Sequence, residues 1–423
     1  MKETRFKDTE IGRIPEDWNL ALLGDITKFL SNNTFSRDKL HVDGGKGEIK
    51  NIHYGDVLVK YGSILDVSRT KIPTIDSGKI ASFCPENLAQ DGDVIIADTA
   101  EDDTVCKVTE LWNIGDSKVV SGLHTMWCRP DCNTFAVKYL GYFMNSVFYH
   151  IQILPLIQGI KVSSVSKNSI KDTWVCIPPL SEQTRIASAL TSIDNLISSL
   201  DKLIEKKKAI KEGTMQQLLT GKKRLKGFNE PWVERKLGEI ASMNSGGTPT
   251  SSNPSYYDGN INFLSISDMT ASGKYIKATE KTITELGLSI SSARLFPAGT
   301  LMYAMYASLG KCSISTIDTA ISQAILGFKL SDQVERDFLY YHFSFIGNKV
   351  KTMGQTGTQS NLSKGIVKEF SINLPSLSEQ RAIACVLSSM DNEISAIQAK
   401  KAKYESIKQG MMQQLLTGRI RLV

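Results

Sequence analysis

The stretch Ile177–Leu225, IPPLSEQTRIASALTSIDNLISSLDKLIEKKKAIKEGTMQQLLTGKKRL, returns at Leu374–Leu422 as LPSLSEQRAIACVLSSMDNEISAIQAKKAKYESIKQGMMQQLLTGRIRL. The two align without a gap at an offset of 197, with 26 identities in 49 positions. Agreement over that length marks an internal duplication. Each copy opens on Pro and then Ser-Glu-Gln (Ser181-Glu182, Ser378-Glu379). A serine cap followed by an acid satisfies free N–H groups and suits the helix dipole, so helix starts are expected at these serines. Each copy closes on Thr-Gly, where Gly221 and Gly418 can take the left-handed conformation that ends a helix. Between these signals Ile186, Leu190, Ile193, Ile197, Leu200 and Ile204 step by fours and threes, as do Ile383, Leu387, Met390, Ile394 and Ile397. That is a heptad seam, which packs against another helix. Glu182 to Leu219 spans about 57 Å as a helix, and a single seam of that length is not stable alone. The economical solution is an antiparallel pair made by the two copies; an ordinary pair of core helices is the alternative.

The segments between the helices repeat faintly. Trp18–Ile26 is echoed by Trp232 through Leu237-Gly238-Glu239-Ile240, and Gly92–Ala97 by Gly299–Ala304, a short apolar run that reads as a buried strand. Val120-Ser121 and Ile321-Ser322 introduce further apolar runs, and Ser166-Lys167 and Ser363-Lys364 precede the two long helices. The expected architecture is α+β (mixed α/β): a first globe over 1–177, a central helix over 178–221, a second globe over 222–374 and a final helix over 375–423. Lys222–Trp232 leads into the second globe and Arg419–Val423 points back to the first, giving an almost circular, pseudo-two-fold arrangement.

The 423 residues exceed one ordinary domain. No apolar run reaches the roughly 18 residues of a membrane helix, and Met1–Gly12 is no signal-peptide core, so a cytoplasmic protein is expected. Seven scattered cysteines without a C-x-x-C pair read as reduced thiols. The net charge is +6, but Lys202–Lys226 holds nine Lys or Arg against two Glu. That run is either a solvated helix face or a contact for a polyanion.

With its two P-x-L-S-E-Q openings, its two Q-Q-L-L-T-G closings and Ile11–Trp18 (IGRIPEDW), the chain resembles the specificity subunit of type I restriction-modification systems. Gly247-Thr248-Pro249, Pro297–Thr300 and Gly310-Lys311 add to the likeness. The resemblance covers nearly the whole chain. It implies two target recognition domains, each reading half of a split DNA site, with the paired helices as spacer. It also implies two docked methyltransferase subunits and, for cleavage, motor-nuclease subunits; S-adenosylmethionine, ATP and Mg would belong to those partners. Glu182, Gln183, Gln216 and Gln217, with Glu379, Gln380, Gln413 and Gln414 in the second copy, are the motif residues expected to meet them.

Base reading needs donors and acceptors on exposed loops, and backbone contacts need Lys, Arg, Ser or Thr. In the second globe Gly354–Ser360 (GQTGTQS) offers Gln355, Thr358, Gln359 and Ser360, the glutamine fork suiting adenine. Ser245 and Thr248 form a second such loop, with Lys311 and Lys364 nearby in type. In the first globe Lys161, Ser163, Ser164 and Lys167 are the counterparts, with Lys60, Tyr61, Arg69 and His124 as further candidates. Each is also readable as part of an ordinary solvated loop.

No catalytic set emerges. Asn253-Pro254-Ser255-Tyr256 mimics the N-P-P-Y loop of amino-methyltransferases but lacks its second proline and a glycine-rich cofactor strand. Gly310-Lys311-Cys312-Ser313 lacks the upstream glycine of a phosphate-binding loop. The five histidines show no metal-ligand spacing, and Asp98, Glu101, Asp102 and Asp103 read as a solvated loop. A non-catalytic DNA reader is the expectation, with a coiled-coil adaptor whose globes bind proteins as the alternative.

Overall fold

The computed structural model describes residues 5–42, 48–75, 88–131, 133–159, 161–306, 308–355 and 362–423. Two compact units divide the chain. One combines Met1–Asp201 with Ala399–Val423; the other is Lys202–Gln398.

The duplicated stretches are helices over Leu180–Leu219 and Leu377–Leu415, the first about 60 Å long at 1.5 Å per residue. Their starts differ from expectation. The N–H groups of Glu182 and Gln183 both donate to the Pro179 carbonyl (2.9 and 3.0 Å), and that of Gln380 to Ser376 O (2.9 Å). Pro179 and Ser376 therefore stand at the cap, and Ser181 and Ser378 lie inside the first turn. The ends follow the sequence: Gly221 and Gly418 have φ of +68° and +69°. Beyond them the N–H groups of Lys223 and Ile420 reach back to Gln217 O and Gln414 O, satisfying late carbonyls.

Each unit pairs the helices antiparallel. In the first, Ile186 and Leu190 share a core with Leu415 and Leu416, and Asp194 and Asp201 meet Lys408 and Lys401, each at 2.6 Å. In the second, Met215, Leu218 and Leu219 share a core with Ile383 and Leu387, and Lys207 and Lys211 meet Glu393 and Asp391. The apolar seam thus gives way, toward each helix's C-terminal half, to lysines facing acids of the other helix. Four of the nine cations between Lys202 and Lys226 are engaged with acids: Lys207 and Lys211 by this pairing, Lys208 with Glu205 and Arg224 with Glu379.

The globes share one scaffold. In the first, a five-stranded sheet runs Thr27–Leu30, Thr125–Pro130, Val94–Ala97, Val108–Trp112, Ile64–Asp66, antiparallel except for its last pair. In the second the order is Ala241–Ser245, Ile325–Leu330, Leu301–Ala304, Cys312–Ser315, Tyr275–Ile276, with the same single parallel pair. The central strands are the apolar runs foreseen in the sequence, and all eight residues are buried. A smaller sheet accompanies each: Lys118–Ser121, Ile49–Ile52 and Thr74–Ile75 in the first globe. The second has Lys281–Ile283, Tyr257–Leu264, Thr319–Ile321 and Arg294–Phe296. Mostly antiparallel pairing beside separate helices makes each globe α+β.

Candidate nucleic-acid interface

Two repeated clasps brace each globe onto the helices. In the first unit the Glu182 carboxylate accepts from Trp18 Nε1 (3.0 Å) and from Arg421 Nε and Nη2 (2.6 and 2.7 Å). Arg421 also donates twice to Asp17 (2.9 and 2.7 Å); the hydrogen bonds to Glu182 and Asp17 push its pKa up, and its guanidinium holds that of Asp17 low. In the second unit Glu379 accepts from Trp232 Nε1 (3.1 Å) and from Arg224 Nε and Nη2, both at 2.6 Å. The neighbouring glutamines work alike. Gln183 accepts from Ala136 N–H and donates to Thr134 O and Pro178 O, while Gln380 accepts from Glu335 N–H and donates to Gln333 O and Pro375 O. The second clasp joins Tyr142 to Asp194 and Lys408, and Tyr341 to Asp391 and Lys211.

These contacts correct one expectation. Glu182, Gln183, Glu379 and Gln380 are at most 1% exposed, with their polar atoms spent inside the chain, so they offer no surface to a partner. Gln216, Gln217 and Gln413 are exposed and Gln414 is half-buried, leaving the helix closings accessible.

At matching places on the two scaffolds, a polar loop crosses the turn between the small sheet and the long sheet strand. In the first globe strand Thr27–Leu30 runs into Ser31, Asn32 and Asn33. Asn33 donates twice to Ser121 O, from N–H (2.9 Å) and Nδ2 (2.7 Å), and exposed Asn32 donates to Gly122 O (3.0 Å). Beside them His124 takes φ +53°, an unusual conformation for a non-glycine residue. It lies 3.4 Å from Asp98 and edge-on to Tyr54 at 5.3 Å, and is half exposed. In the second globe Ala241–Ser245 runs into Gly246 and Gly247. A Cβ on Gly246 would fall 1.7 Å from Ile321 O, so only glycine permits this approach. Exposed Thr248 then donates to exposed Gln323 (2.6 Å), and Tyr257 OH pins Pro249 O (2.6 Å). The structure thereby places His124 beside Asn32, and Ser245 and Thr248 beside Gln323. Asn32 and Gln323 were missed in the sequence: Asn32 stands in a short polar run, Ser31–Thr34, that reads as an ordinary turn, and Gln323 is a single amide between apolar runs.

The other candidates are scattered. Lys60 is tied to buried Asp56 (2.9 Å), which Arg37 also contacts. Tyr61 is a correction: it is 4% exposed, its hydroxyl is buried without a partner and burial raises its pKa, so it cannot reach DNA. Arg69 is exposed, 3.7 Å from Asp66. Lys161 is exposed, while Ser163 and Ser164 are half-buried in a two-residue strand paired with Thr99–Ala100. Lys311 is half-buried in a turn whose carbonyl accepts from Ala304 N–H. Lys167 and Lys364 each open a short helix capped by Ser166 or Ser363. Gln355 ends the helix Arg336–Gln355; Thr358, Gln359 and Ser360 lie outside the described residues. Among the described residues no group of three or more His, Cys, Asp or Glu could hold a metal ion. No helix there is long and apolar enough to cross a membrane.

The duplicated architecture defines a class of two-globe, two-helix proteins, and the comparisons identify it. The family model described as type I restriction modification DNA specificity domain matches residues 15–212 and again 229–408, and the chain belongs to that family. A chain assigned as the type I restriction enzyme MjaX specificity subunit of Methanocaldococcus jannaschii is 26% identical over all of this chain and 98% of its own length. The MjaVIII specificity subunit of the same organism is 23% identical, covering all of this chain and 97% of itself. The crystal structure of the S subunit of a type I restriction-modification system from M. genitalium shares the fold with a TM-score of 0.58 at 13% identity, covering 94% of this chain and 96% of that one. A chain from a type I restriction-modification system studied for its complex assembly gives 0.61 at 18% identity, over 96% and 99%.

Proposed function

We propose that the chain is the non-catalytic recognition subunit of a type I restriction-modification complex, reading a split, asymmetric DNA site. One word is read by the globe within 1–177 and the other by the globe within 222–374, with the long helices as spacer. The observation that carries this reading is a shared scaffold with unlike polar loops at the same place: Asn32 and His124 in one globe, Thr248 and Gln323 in the other. A common frame sets the approach to a groove, and different side-chain forks select different bases. Two such words carry penalties of roughly 1–3 kcal/mol per wrong base, enough for selectivity without extreme affinity.

On this reading the exposed helix closings around Gln216, Gln217, Gln413 and Gln414 face two methyltransferase subunits, with motor-nuclease subunits joining for cleavage in the cytoplasm. S-adenosylmethionine, ATP and Mg stay with those partners. The test exchanges residues 1–176 for those of another family member and maps methylated positions genome-wide with the methyltransferase subunits present. One word should change and the other persist; a change in both would overturn the modular reading.

A further inference from the structure

We propose that two lysine pairs, Lys167 with Lys171 and Lys364 with Lys368, grip the phosphate backbone of the duplex beside the reading loops. The inference rests on the DNA reading above and supplies its sequence-blind half.

Lys167–Lys171 and Lys364–Lys368 are short helices at the same place in both globes, with the Ser166 and Ser363 hydroxyls accepting from Ser169 and Ile366 N–H. Between the lysines every residue differs: Asn168, Ser169 and Ile170 against Gly365, Ile366 and Val367. Both lysines are kept. Four residues apart, they share a helix face, where like charges repel and disfavour the helix. Among the described residues no acid forms an ion pair with them: Asp172 follows Lys171 in the chain, and Glu369, which follows Lys368, pairs with Lys236 (2.7 Å).

Lys167 and Lys368 are exposed, and Lys171 and Lys364 are half-buried. In the first globe both sit over the Phe29 ring, at 5.2 and 5.4 Å from its centre. They are therefore within about one Debye length of each other, roughly 10 Å at 0.1 M salt. An aromatic face attracts cations yet accepts few of their N–H bonds, which stay free for an anion. The lysine stems are seated on glycine in both copies. A Cβ on Gly24 would lie 2.9 Å from Lys171 Cβ, and one on Gly238 would lie 3.3 Å from Lys368 Cβ. In the second globe Lys364 Nζ donates to Asn244 Oδ1 (3.1 Å). Asn244 and Phe29 belong to the strands that run into the reading loops. Paired cations flanking groove-reading loops are the chemistry that fixes a protein's register on phosphates.

The test titrates the full chain with a mixed-sequence duplex across a range of salt, following fluorescence anisotropy. Each phosphate contact contributes about 0.9 to the slope of log K against log salt. The K167Q/K171Q variant should therefore lose about 1.8 from the slope, K364Q/K368Q the same, and K167R/K171R almost nothing. K400Q/K403Q, which removes the same charge from exposed helix positions, serves as control. An unchanged slope in both Gln pairs, or an equal drop in the control, overturns the grip while leaving the DNA reading standing. If the unaltered chain binds without salt dependence, the DNA reading falls, and the grip with it.

Discussion

Replacing Arg421 with Ala would strip the buried Glu182 carboxylate of its countercharge. The arginine makes two hydrogen bonds to Glu182 and two to Asp17, and its side chain is 12% exposed against 1% for Glu182. Removing one partner of a buried ion pair costs about 3–5 kcal/mol, mostly because the other charge is left stranded. Water can enter as the end of the chain loosens, so the lower figure, about 3 kcal/mol, applies here. For a unit of this size that lowers the melting temperature by about 6–12 °C. Calorimetry of the full chain should show the loss, with Glu182→Gln added as the decisive second arm. With no charge left to strand, the double variant should lose less than R421A alone. A loss below about 1 kcal/mol for R421A, or a double variant losing the sum of both single losses, would refute the stranded-charge reasoning.

Three further outcomes follow. Glu110 is buried and burial raises its pKa to about 8 against backbone N–H donors from Lys138 and Gly141. Its unfolded form ionises near 4.5, so the folded state holds the extra proton between these values. Stability should then fall as pH rises from about 4.5 to 8, and E110Q should flatten that slope in pH-dependent melts. Gly221→Ala should cost about 1–2 kcal/mol for its left-handed backbone. Gly418→Ala should cost more, because its Cβ would lie 2.3 Å from Pro15 Cγ where Gly221 faces only the Trp232 ring at 3.6 Å; equal losses in denaturant titrations would contradict the contact. One heptad inserted into both long helices should lengthen the unread gap and leave both words intact, as methylation mapping would show; an unchanged gap would remove the spacer role.

The helices were legible because their two copies keep one offset, 197, along their whole length. Burial followed the seam closely: Ile186, Leu190 and Leu387 are fully buried. The globes were harder, because their loops differ in length. The equivalent strands start 214 residues apart at Thr27 and Ala241, but 200 apart at Thr125 and Ile325. That drift hid the match between the His124 and Gln323 loops. The Ser-Glu-Gln motif was visible as a repeat, yet repetition does not say which way a side chain faces. Glu182 and Gln183 turned inward because Trp18, Arg421 and the backbone at Thr134 and Ala136 supply their partners. The roles of Lys207 and Lys211 were equally hidden, since their acids, Glu393 and Asp391, lie about 180 residues downstream.

The placement of the arginines bears on how the polypeptide matures on the ribosome. Every part of the unit Lys202–Gln398, its arginine included, emerges as one uninterrupted run. The N-terminal globe, although made first, lacks Arg421 and the other residues from Ala399 onward until after that run is complete. N-terminal domains ordinarily settle first during synthesis. Here the order is inverted: the earlier globe to be translated is the later to be fastened, and a nascent chain cut short after Gln398 would leave that globe unsealed although the unit Lys202–Gln398 is complete.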